Sequence, residues 1–107
     1  MNYTTEERNG FTVLTLQEKR LDARAANDFK KLIQSLIGQG HRNLLLDLKN
    51  VQFIDSSGLG ALVSCLKALG KDGDMQLCSI NPPVQSLLKL TRLDRIFTVH
   101  ESLEAAL

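Results

Sequence analysis

The chain has 107 residues, 43% of them hydrophobic and 23% charged, with a formal net charge of +1. That length suits one domain that folds without disulfides or a metal, and the many Leu, Ile and Val residues argue against disorder. The charge balance excludes the basic footprint of a nucleic-acid binder, and no stretch reaches the ~20 apolar residues of a membrane span. The first seven residues, Met1 to Glu7, have neither the basic nor the apolar region of a secretion signal.

Tyr3–Arg8 and Phe11–Leu16 flank Asn9-Gly10, a hairpin signal because both turn residues tolerate positive φ. Asp22 then precedes a helical pattern over Ala23–Ile37. Ala26, Phe29, Ile33, Leu36 and Ile37 share one face, and Lys30, Lys31 and Gln34 the other. Asp22 is placed to cap this helix, and Gly38 and Gly40 to end it. Asn43–Leu48 is a nearly continuous apolar run, which suits a central strand covered on both faces. After Lys49-Asn50, Val51–Ile54 leads into Asp55-Ser56-Ser57-Gly58. Leu59, Leu62, Val63, Leu66 and Leu69 then repeat at helical spacing up to Gly70.

Lys71–Asp74 reads as a turn and Met75–Ile80 as a strand. Asn81-Pro82-Pro83 reads as a cap with Pro at the first helical position, and Val84, Leu87 and Leu88 form the apolar side of that helix. Arg95–Val99 reads as a last strand, and Glu101–Leu107 as a terminal helix with Leu103, Ala106 and Leu107 inward. The order β-β-α-β-α-β-α-β-α predicts a single α/β domain over residues 1–107. Its mixed sheet is largely parallel, opens with an antiparallel N-terminal hairpin and carries about four helices. Cys65 and Cys78 lie far apart inside apolar segments and read as buried free thiols of a reducing compartment, so a cytoplasmic location is expected. No zinc-binding spacing is present.

The segment that carries chemistry is Val51-Gln52-Phe53-Ile54-Asp55-Ser56-Ser57-Gly58-Leu59-Gly60. It places small polar residues at a strand-to-helix junction, where open α/β sheets build functional loops. Asp and Ser side chains there accept from free helix N–H groups, and glycines admit another backbone or a phosphoryl group. Taken alone, Asp-Ser-Ser-Gly is better explained by simple capping, with glycines for tight helix–sheet packing.

The surrounding sequence resembles the STAS domain family, in particular the stand-alone anti-sigma factor antagonists. Their signature is an apolar strand ending in Asp-Ser-Ser/Thr-Gly-Leu-Gly, matched by Asp55-Ser56-Ser57-Gly58-Leu59-Gly60. Leu21-Asp22, the strand Leu44–Leu48, the helix after Asn81-Pro82-Pro83 and the segment Thr91–Asp94 also correspond. The glycine and acidic residue often found before Leu-Asp are replaced by Lys19-Arg20. The resemblance implies phosphorylation of the serine after the aspartate, here Ser56, with Ser57 as the competing acceptor. It implies an anti-sigma factor that is also a serine kinase as partner, and a PP2C-type phosphatase that restores the unphosphorylated, binding-competent form. Asp22, Asp55, Ser56, Ser57, Gly58, Leu59 and Gly60 are the implied partner-binding residues. Asp55 either orients the Ser56 hydroxyl, contacts the kinase's metal–nucleotide site or caps a helix; Leu59 either faces the partner or packs in the core.

No enzymatic activity, cofactor, metal, nucleic acid or membrane contact is expected, and the chain reads as a monomer that forms a heterocomplex. His41 and His100 carry no motif and read as solvent-exposed, as do Arg92 and Arg95. No nucleophile elbow or P-loop is present. The alternative within the same resemblance is an accessory subunit of a transporter, such as a lipid-transport ATPase. The intact Ser56 motif, and a chain that ends soon after the minimal domain, favour the antagonist.

Overall fold

The computed structural model describes residues 1–107. A six-residue strand, β1 (Tyr3–Arg8), turns at Asn9 and Gly10, both at positive φ, into β2 (Phe11–Leu16), its antiparallel partner. Helix α1 (Ala23–Gly38) follows, then β4 (Asn43–Asp47), helix α2 (Ser56–Leu69), β6 (Asp74–Cys78), helix α3 (Pro82–Leu90), β7 (Val99–His100) and helix α4 (Leu103–Ala106). The main sheet runs β1-β2-β4-β6-β7, parallel at every pairing after the hairpin. Two short strands, β3 (Arg20–Leu21) and β5 (Phe53–Ile54), form a separate parallel ribbon.

Alternation along the strands divides the core. Leu14, Leu16, Leu44, Leu46, Met75 and Leu77 join Phe29 and Ile33 of α1, Leu62 and Cys65 of α2, and Val84 and Leu88 of α3 in one large cluster. Val13, Leu45 and Cys78 pack instead against Phe11, Leu103, Ala106 and Leu107, so α4 closes the second face. Every residue from Leu44 to Leu48 is buried, including Asp47, whose Oδ1 accepts from the Lys49 N–H at 3.0 Å. No helix is long and apolar enough to cross a membrane.

Several boundaries differ from those expected. The strand predicted over Met75–Ile80 stops at Cys78 because Ser79 takes φ 59°. The strand predicted over Arg95–Val99 shrinks to Val99–His100. Arg92 turns left-handed, Leu93–Arg95 forms a single 3-10 turn, and Phe97 is drawn into the core. The terminal helix begins only at Leu103, where the Ser102 Oγ accepts from the Ala105 N–H. Asn81 precedes α3 as expected but its side chain does not cap it. Pro82 and Pro83 lack two of the N–H groups a cap would satisfy, and the Asn81 amide donates instead to the carbonyls of Lys49 and Val51.

Both histidines depart from the expectation of full exposure. Each is partly buried and bonded: His41 Nδ1 lies 2.8 Å from Thr12 Oγ1 and 3.2 Å from Glu7 Oε1, and His100 Nε2 lies 2.7 Å from Gln76 Oε1. Arg92 and Arg95 are exposed.

Cys65 and Cys78 are free and buried. Burial pushes both thiols up to about 11, with the Asp47 charge adding to the effect at Cys78. The raised values mean that the thiols favour the folded state fully below 9.0, the ordinary value. That contribution is lost as pH climbs through about 11. Two measurements check this. At pH 8 a disulfide reagent such as Ellman's leaves the native protein unmodified and titrates both thiols in denaturant. The urea midpoint falls as pH is raised from 9 towards 11, and replacing both cysteines with alanine flattens that fall.

Candidate functional site

The ribbon β3–β5 sets the site. The Gln52 and Phe53 N–H groups both donate to the Lys19 carbonyl, at 2.8 and 3.2 Å. This turns the chain away from the main sheet and delivers Asp55 to the start of α2, beside the start of α1. The strand-to-helix junction anticipated from the sequence therefore leaves a two-residue strand of the ribbon, not a strand of the main sheet.

Two helix N-termini meet there. The Asp55 side chain accepts from the Gly58 N–H through Oδ1 at 2.9 Å and from the Ala23 N–H through Oδ2 at 3.1 Å. One carboxylate thus caps α2 and satisfies the first amide of α1. Asp22 Oδ1 accepts from the Arg24 and Ala25 N–H groups at 3.1 and 3.3 Å, and Asp22 Oδ2 lies 3.6 Å from Arg20 Nε. Anionic groups at these ends also suit the positive poles of both helices. Asp55 is a cap, one of the roles left open for it, and Asp22 caps α1 as its position in the sequence suggested.

Gly58 is required by packing. A Cβ at this position would run into the Leu21 carbonyl oxygen and would lie 2.8 Å from Ile54 Cγ2. Leu59 lies in the large core cluster at 9% exposure. Gly58 and Leu59 thus take part in packing, the core role being one of the two left open for Leu59. Ser56, Ser57 and Gly60 face solvent, and nothing lies within 4 Å of the position a Gly60 Cβ would take. The first two amides of α2, those of Ser56 and Ser57, have no intramolecular acceptor.

Sequence reading missed two neighbours of this face. Phe53 is 42% exposed, and the Arg20 guanidinium carbon sits 4.4 Å above the centre of its ring. The available signal was alternation: with Ile54 inward, Phe53 points out. No histidine stands beside Ser56, since His41 and His100 are bonded to Thr12 and Gln76. No group of three His, Cys, Asp or Glu side chains is placed to hold a metal ion. What the corner offers is an exposed hydroxyl on a rigid mount.

The family model described as STAS domain matches residues 2–106. The anti-sigma F factor antagonist of Paenibacillus polymyxa is 41% identical over 61 residues, covering 56% of this chain and 52% of the relative. The match thus spans about half the length of that relative. A Thermotoga maritima protein described as a candidate anti-sigma factor antagonist is 33% identical over 97 residues, covering 89% of this chain and 86% of the relative. A crystal structure from Thermotoga maritima, described in the same terms, superposes with a TM-score of 0.84 at 30% identity. It covers 97% of this chain and 90% of its own.

Removing the shared cap tests the geometry. Asp55→Ala strips an acceptor from two helix ends and is expected to cost about 1–2 kcal/mol, read as a lowered urea midpoint at unchanged slope. Gly58→Ala is expected to cost more than Asp55→Ala in the same measurement, because its clash is with backbone.

Proposed function

Since the chain belongs to the STAS domain family, we propose that it is an anti-sigma factor antagonist whose docking is switched off by phosphorylation of Ser56. The observation that carries this is the position of Ser56. It is exposed at the first turn of α2, above a corner built by the half-buried Asp55 and the buried Gly58 and Leu59. A kinase can reach the hydroxyl without opening the fold.

The partner is an anti-sigma factor that is itself a serine kinase, and a PP2C-type phosphatase reverses the modification. In its unphosphorylated form the antagonist binds the anti-sigma factor and frees the sigma factor. A phosphate adds about −1.5 to −2 charge and three acceptor oxygens. The free Ser56 and Ser57 amides and the positive end of α2 accommodate that charge while the face stays in water. Docking removes the water. Asp22 and Asp55 already place two carboxylates at the corner, so the phosphate would be buried as a third anionic group. Desolvating it without a cationic partner costs several kcal/mol, and ~2.8 kcal/mol already weakens binding a hundredfold. The switch therefore acts on docking and spares the fold. By the same account the domain works in the cytoplasm as a single unit over residues 1–107 and catalyses nothing itself.

The test is incubation with ATP and the kinase-type anti-sigma factors encoded by the same genome, followed by phosphopeptide mapping. Phosphate is expected on Ser56 and not on Ser57, with removal by a PP2C-type phosphatase. Ser56→Asp is expected to abolish binding while its melting temperature stays within a few degrees of wild type. A folded Ser56→Asp protein that binds as tightly as wild type overturns the proposal.

A further inference from the structure

A cavity of about 410 Å³ opens on the side of the domain between α3 and the edge strand β7, within the ~300–1,000 Å³ range of small-ligand sites. Ile80, Leu88 and Val99 supply its apolar wall, and Lys89, Asp94 and Glu101 its charges. None of the three charged groups belongs to an ion pair of the fold. No residue of the Ser56 corner lines it.

The backbone of β7 completes the cavity. Leu77 stands opposite Val99 in the parallel register, and the Leu77 and Ser79 N–H groups donate to the Thr98 and His100 carbonyls at 2.9 and 3.3 Å. Alternation along a parallel ladder then turns the Val99 N–H and C=O away from β6. Because β7 is the last strand of the sheet, no strand takes them, and they project from the open edge beside the cavity. The charges are ordered along this edge. β6 and β7 are parallel and joined through α3, so α3 runs opposite to both. Lys89, next to last in α3, and Asp94, in the turn that follows, therefore sit towards the start of β7, and Glu101 lies just past its end.

We infer that this cavity binds a zwitterionic dipeptide with apolar side chains, laid antiparallel to β7 as a short sixth strand. Its ammonium meets Glu101, its carboxylate meets Lys89, and its main chain exchanges hydrogen bonds with the Val99 N–H and C=O. Its side chains pack on Ile80, Leu88 and Val99. Two extended residues span ~7 Å, the reach needed to serve both ends of a two-residue strand; a single amino acid is too short. Asp94 beside Lys89 leaves room for one negative charge at that end, which selects a carboxylate over a chain of phosphates. The site is separate from the proposed function and does not rest on it.

The full ¹⁵N-labelled chain is titrated with leucyl-leucine, with its acetylated and amidated form, with leucine and with ATP. Leucyl-leucine is expected to shift the amide resonances of residues 88–89, 94 and 99–101 and to leave those of Ser56 and Ser57 in place. The capped form, which lacks both charges, is expected to bind roughly tenfold more weakly, and leucine more weakly than leucyl-leucine. Lys89→Ala and Glu101→Gln are each expected to weaken leucyl-leucine roughly fivefold, whereas Lys71→Ala, in the turn after α2, leaves binding unaltered. An unchanged spectrum at millimolar leucyl-leucine overturns the inference. So does equal binding of the capped form, or a response of these resonances to ATP alone.

Discussion

One carboxylate joins the two halves of the functional corner. Asp55 accepts from an amide of its own helix and from the first amide of the preceding one. Helix starts carry donors that no intrahelical carbonyl can satisfy, and here a single side chain satisfies one on each. The Asp55 N–H reaches back to the Leu21 carbonyl at 3.4 Å, and Gly58 lets α2 approach that same carbonyl. Remove the carboxylate and the ends of α1 and α2 are no longer tied; add a side chain at Gly58 and they are forced apart. The placement of Ser56 depends on both.

The corner divides its residues by role. Asp22, Asp55, Gly58 and Leu59 are spent on capping and packing, while Ser56, Ser57 and Gly60 look outward. Under the proposed function this division matters, because a modification that must reverse many times cannot lie where the chain has to unfold to admit it. Nor can it lie far from the surface it controls. The first turn of α2 meets both conditions. The main sheet stays remote from the event, since its central strand is buried on both faces.

Much of this was legible in the sequence. The Asn-Gly turn marks the hairpin, helical spacing from Ala26 to Leu36 marks α1, and the short apolar run Leu44–Leu48 suits a strand covered on both faces. The Asp-Ser-Ser-Gly junction was legible as a helix start, and Asp22 as a cap. What could not be read was long-range. The Ala23 N–H that Asp55 satisfies lies 32 positions away, and no local pattern announces such a bond. The ribbon Arg20–Leu21 with Phe53–Ile54 is two residues per strand, too short to announce which segments pair. Gly58 and Leu59 belong both to the motif and to the core, and only the packing shows how deeply they are buried. The last strand was misplaced because Phe97 is held by core burial after a left-handed Arg92, which β propensity does not express.

The ribbon's smallness has an evolutionary consequence. Because β3 and β5 stand outside the five-stranded sheet, their outward residues can change without disturbing the pairings on which folding relies. Under the proposed function, partner choice can therefore change while the scaffold stays the same, and a cell with several such domains can insulate one circuit from another by exchanging a few surface side chains.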